Sequence, residues 1–140
     1  MTQTIQQQRA KYAMDEVIKL KNLNLEEKKQ QEFEKEFISY ASSLPAMIQT
    51  NGLGQAMAFC KVKGKDRLSY EKLYELISNW LCEKPNIYTG CPDTQVYAQC
   101  TEVLNGITDK NMQFYQLAQI ETLILMTWVK KFAKAFLAED

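Results

Sequence analysis

A chain of 140 residues, 46% hydrophobic and 24% charged with only 5 Gly and 3 Pro, can bury one sizeable core and does not fit collagen-like, low-complexity or knottin-like classes. Lys+Arg and Asp+Glu both number 17, so a free-standing, strongly basic nucleic-acid binder is not indicated and little self-repulsion opposes assembly. Histidine is absent, which removes Ser-His and Cys-His nucleophilic pairs and His-ligated zinc.

Helical periodicity dominates the chain, and strand-like alternation is missing. The first helix is predicted over about Thr4 to Lys21, with Ile5, Tyr12, Ala13, Val17 and Leu20 on one face. Met14 and Ile18 fall on the opposite side, which suits a second contact surface. Arg9 lies within the apolar arc. It is expected either to pair with an acid such as Glu16 or Glu121, or to reach a partner or phosphate.

Asn24 is predicted to cap a second helix over about Leu25 to Ser42, buried through Phe33, Phe37, Ile38, Tyr40 and Ala41. Pro45 is expected to break it and to open a separate turn through Thr50. Asn51-Gly52 then reads as a C-cap with positive φ. A third helix follows over Leu53 to Val62, where Gly54 allows another backbone to approach and Gly64 is the stop. Ser69 is predicted to cap a fourth helix to about Leu81 or Cys82, with Tyr70, Leu73, Tyr74, Ile77, Trp80 and Leu81 inward. Pro85, Gly90 and Pro92 mark Cys82 to Pro92 as a loop.

A shorter helix is expected from Asp93 to Val103 or Leu104, ended by Asn105-Gly106. The last helix runs from about Asp109 to Leu137, with Leu117, Ile120, Ile124, Trp128, Phe132 and Ala135 on one face and Thr127, Lys130 and Lys134 on another. The expected fold is all-α: one domain over 1–140, a bundle of about six helices with a long C-terminal helix.

The four cysteines, Cys60, Cys82, Cys91 and Cys100, contain no CxxC pair, so a zinc ribbon or thioredoxin-like motif is not indicated. The opening MTQTIQQQRA is polar and unlike a secretory signal; reduced thiols in the cytoplasm are expected. No apolar run approaches the ~18 residues of a membrane span. No catalytic residue, metal site or cofactor is expected.

Three constellations can carry function. Asn51-Gly52-Leu53-Gly54-Gln55 opens a helix and could meet an anion, but it lacks GxxxxGK[ST] and a preceding strand. A helix–helix packing corner is the preferred reading. Lys61, Lys63, Lys65 and Arg67 cluster at a helix end, where they suit either the helix dipole or nucleic-acid phosphates. Lys130, Lys131 and Lys134 follow Trp128, either as a basic edge beside a core indole or as a single-strand contact.

Taken together, three segments resemble the small, all-helical subunit of the type III-B CRISPR effector, the Cmr RNA-silencing complex. They are Gln7-Gln8-Arg9-Ala10-Lys11-Tyr12-Ala13, the stretch LPAMIQTNGLGQAMAF from Leu44 to Phe59 with Lys63-Gly64 beyond it, and ETLILMTWVKKFA from Glu121 to Ala133. The resemblance implies a non-catalytic, cytoplasmic subunit whose copies stack into an inner filament beside the backbone subunits. Target RNA would lie in the channel between filaments, paired with the guide RNA, and chemistry would belong to the backbone and large subunits. It makes Arg9, Lys61, Lys63, Lys65, Lys130, Lys131 and Lys134 candidate RNA contacts. Met14, Ile18, Asn51, Gly52 and Gly54 become candidates for stacking or packing. The region Cys82 to Gly106 departs from the family's usual look and receives no role. The rival readings are a type III-A small subunit, a helical protein–protein adaptor without nucleic acid, and a small Cys or Asp/Glu enzyme.

Overall fold

The computed structural model describes residues 4–82, 102–109 and 111–137. Six α-helices appear among them: α1 Ile5–Lys19, α2 Glu27–Asn51, α3 Leu53–Lys63, α4 Leu68–Cys82, α5 Val103–Asp109 and α6 Met112–Phe136, with one 3-10 turn at Leu20–Asn22. The all-α expectation and the long C-terminal helix hold. The loop expected over Cys82 to Pro92 lies, beyond Cys82 itself, outside the described residues. So does the shorter helix expected from Asp93, up to residue 101.

Helix α1 starts where Thr4 closes a capping box: Gln7 N–H donates to the Thr4 hydroxyl (3.1 Å) and Thr4 N–H donates to Gln7 Oε1 (2.8 Å). Its buried face, Tyr12, Ala13 and Val17 with Leu20 beyond, packs on α6. Helix α2 lies against both α6 and α4, and α3 against α2 and α4. The core between them is built from Phe37, Leu44, Ile48, Leu53, Met57, Leu73, Ile77, Leu81, Leu125 and Met126, all essentially inaccessible to solvent. Burial of about 1.5–3 kcal/mol per large side chain drives this arrangement.

Five local expectations are corrected. Asn24 does not cap α2; it takes a left-handed conformation (φ 59) and the helix begins at Glu27. Pro45 does not end α2, which runs on to Asn51. The lost hydrogen bond is tolerated because Phe37, Ala41, Leu44 and Ile48 stay in register across the proline and are all buried. Ser69 lies inside α4, where its hydroxyl donates to Glu36 Oε1 at 3.1 Å. Asn105-Gly106 does not end a helix but sits within α5, with Gly106 buried. That helix is anchored at its start by Val103 N–H donating to the Ser78 hydroxyl at 2.9 Å.

The fifth correction concerns α6. Its core face is Ala118, Glu121, Thr122, Leu125, Met126, Val129 and Ala133. The expected stripe is rotated outward: Ile120 is 56% exposed, and Leu117, Ile124, Trp128 and Phe132 are half-buried. Small residues at 118, 122 and 133 let α1 and α2 approach closely, so tight packing outweighs the bulk of the outer side chains.

Candidate packing corner and nucleic-acid interface

Gly52 alone separates α2 from α3. Its N–H donates to Ile48 O at 2.7 Å, closing α2, while its carbonyl accepts from Ala56 N–H at 3.1 Å, opening α3. Its backbone, φ 88 and ψ 158, lies in a region that essentially only glycine occupies. The first N–H groups of a helix have no partner inside it. Here α6 supplies partners: Leu53 N–H donates to Gln119 Oε1 and Gly54 N–H to the Tyr115 hydroxyl, each at 2.9 Å.

The Leu53 and Gly54 N–H groups that an anion would need at this corner are therefore used within the fold. Positive φ at Gly52 holds as expected. The close approach at Gly54 is by side chains: an added Cβ would stand 3.3 Å from Ile107 Cγ2 and 3.6 Å from the Tyr115 ring. Backbone approach occurs instead at Gly64, where a Cβ would meet Glu71 Cα at 3.1 Å. Asn51 is exposed at the end of α2. Tyr115 and Gln119 were not singled out from the sequence. They sit one turn apart on one helical face, but that spacing does not say which helix end they cap.

Arg9 is buried, and its guanidinium donates through Nε and Nη2 to the two Glu121 carboxylate oxygens, both at 2.7 Å. Trp80 Nε1–H donates to the same carboxylate at 2.8 Å, and the Trp80 ring packs on Tyr12 with centroids 4.8 Å apart. Of the two expectations for Arg9, pairing with Glu121 is the one that its placement fits. Its charge is spent inside the fold, so it leaves the set of phosphate-facing candidates.

The basic cluster divides. Lys61 Nζ donates to Glu102 Oε1 at 2.9 Å and lies 5.0 Å from the centre of the Tyr74 ring. Arg67 pairs with Glu36 at 2.8 Å. Lys63 stands 5.7 Å from the Phe59 ring centre, and Lys65 is exposed; neither has an ion-pair partner among the described residues. Lys131 and Lys134 are exposed on the last turns of α6, Lys130 is half-buried, and none of the three is ion-paired among the described residues. Beside them Trp128, Phe132 and Phe136 stack in sequence, with ring centres 5.8 and 5.9 Å apart.

Ile18 is 39% exposed and Met14 half-buried on the outer side of α1. Further exposed apolar side chains, missed by the sequence reading, lie on α6. From Met112 to Val129 its only charged residue is Glu121, which is buried, while Met112, Phe114 and Ile120 are exposed.

The two described cysteines, Cys60 and Cys82, are buried, and Cys60 carries no disulfide. Burial pushes the Cys60 thiol up to about 12, the opposite of what a nucleophile requires. Cys60 is accordingly expected to resist alkylation at pH 8 in the native protein and to react quickly in denaturant. Mass-spectrometric mapping of the labelled site checks this, and fast native labelling would reopen the enzyme reading. Among the described residues no group of Cys, Asp and Glu is placed to hold a metal ion, and no helix is long and apolar enough to cross a membrane.

These features define a small helical module that spends its polar residues on joining helices. A family model described as CRISPR-associated protein (Cas_Cmr5) matches residues 5–136, and the chain belongs to that family. It is the family of the small subunit of the type III-B Cmr complex, which is generally a non-catalytic structural subunit. The match favours type III-B over type III-A and makes the chain a Cmr-complex subunit in CRISPR defence, associated with the other subunits of that complex.

Proposed function

We propose that this chain, acting as one cytoplasmic domain, stacks in copies along the inner filament of the type III-B effector and helps hold target RNA against the guide. The observation that carries this reading is the group Lys130, Lys131 and Lys134: three lysines close together on one helix, without ion-pair partners among the described residues, in a chain of zero net charge. Lys63 and Lys65, likewise without ion-pair partners among the described residues, form a second basic group. Such lysines neutralise phosphates without reading bases, and sequence is left to guide–target pairing. Each subunit contributes few contacts. Repetition along a filament turns weak contacts into firm retention through effective concentration.

Stacking needs two different surfaces, because a head-to-tail contact is heterologous and open. The Met14/Ile18 side of α1 is assigned to one of them. The uncharged outer face of α6 has the charge-poor, Met- and aromatic-containing character of an interface core and is assigned to contact with neighbouring subunits.

The test is Lys130→Glu with Lys131→Glu in the assembled complex. Affinity for a guide-complementary RNA should fall at least tenfold at moderate salt, with melting of the isolated subunit unchanged. The salt dependence of binding should also become shallower. Unchanged affinity at low salt would remove these lysines from the RNA path.

A further inference from the structure

Lys61 differs from the other candidate phosphate contacts in being already occupied. It forms one wall of an open groove of about 380 Å³ between α3, α4 and Glu102, with Lys65, Tyr74, Ser78 and Asn79 among the lining. In this groove the Glu102 carboxylate accepts from both Lys61 Nζ, at 2.9 Å, and the Tyr74 hydroxyl. The Tyr74 ring lies under the ammonium, 5.0 Å from its centre. Tyr74 first and Lys61 second hold the Glu102 carboxyl below the usual carboxylate range, so it is ionised at neutral pH. The Lys61 and Glu102 side chains remain 49% and 36% exposed.

We propose that Glu102 is a built-in competitor for the RNA backbone at Lys61: its carboxylate occupies the place of a phosphate in the free subunit and must be displaced before Lys61 engages RNA. This deepens the RNA-holding reading and rests on it. A half-exposed ion pair contributes little, so Glu102 acts as a brake and not as a lock. It removes Lys61 from non-specific encounters with polyanions and restores it once neighbouring lysines have brought a phosphate close. Lys65, on the same groove and without a carboxylate partner among the described residues, is the residue that would bring it.

The experiment is a salt-series titration of a guide-complementary single-stranded RNA against the assembled complex carrying wild-type subunit, Glu102→Gln, Lys61→Ala or the double variant. Glutamine keeps an acceptor for Tyr74 and Lys61 and removes only the charge. Glu102→Gln should tighten RNA binding about threefold and steepen its salt dependence. The gain should vanish in Lys61→Ala/Glu102→Gln. No gain, or a gain that survives loss of Lys61, overturns the proposal. If Glu102→Gln fails to assemble, Tyr74→Phe loosens the carboxylate from the other side and should shift affinity in the same direction; no shift would count equally against it. Lys130→Glu/Lys131→Glu in the same assay separates the two failures. If that variant weakens binding while Glu102→Gln does nothing, only the competitor is wrong. If neither responds, the RNA-holding reading falls as well.

Discussion

Replacing Gly52 by Val should destabilise the subunit by about 3 kcal/mol, lowering its melting temperature by about 10 °C. Two independent penalties act there. The first is conformational: φ 88 with ψ 158 is closed to a β-branched residue whatever space surrounds it. The second is steric: a Cβ would stand 2.8 Å from the Tyr115 hydroxyl, the group that accepts from Gly54 N–H. Relief of the clash therefore removes the cap as well. The two penalties can be separated. Tyr115→Phe alone should cost about 1 kcal/mol, the usual value of a capping hydrogen bond. Gly52→Ala combined with Tyr115→Phe should cost less than the sum of the singles, because the clash is counted in one single and absent from the double. Thermal unfolding of the isolated subunit measures wild type, Gly52→Val, Gly52→Ala, Tyr115→Phe and the double variant. If Gly52→Val melts with wild type and still enters the complex, the corner does not organise the fold.

The helical class, the order of elements and the glycine junction are legible in the sequence because each rests on local signals: 3.6-residue periodicity, a glycine needed for positive φ, and few strand-like runs. What the sequence does not show is set by tertiary competition. Pro45 carries a strong local stop signal, yet Leu44 before it and Ile48 beyond it are buried at 1% and 0% exposure, and their packing carries the helix through. On α6 the bulky residues mark one stripe, but closeness to α1 and α2 selects the face with Ala118, Thr122 and Ala133. The candidate site divides in the same way. Basic residues and their spacing are visible in the chain, whereas their availability depends on partners distant in sequence: Glu121 for Arg9 across 112 residues, and Glu102 for Lys61 across 41. Balanced charge hides this, because composition does not say which lysines are already paired.

Removal of Arg9 is the second large effect. Arg9 and Glu121 are 8% and 3% exposed, and they join α1 to α6 within the first and third segments that carry the family resemblance. Those segments thus share a packing role, whatever RNA contact the exposed lysines of the third one make. Breaking a buried ion pair from one side costs about 3–5 kcal/mol, mostly from the charge left behind. Arg9→Met should therefore lose about that much stability, with Glu121 retaining the Trp80 Nε1–H as a donor. Adding Glu121→Gln removes the stranded charge and keeps an acceptor for Trp80. The double variant should recover more than half of the loss, because the pair as a whole contributes far less than its rupture costs. Denaturant unfolding of wild type, both singles and the double gives the coupling directly. Strict additivity would mean that the two groups do not interact as their geometry requires. RNA affinity of the assembled complex gives a second discriminating readout: an Arg9 that served the RNA would weaken binding with little change in stability, and the buried pair requires the reverse.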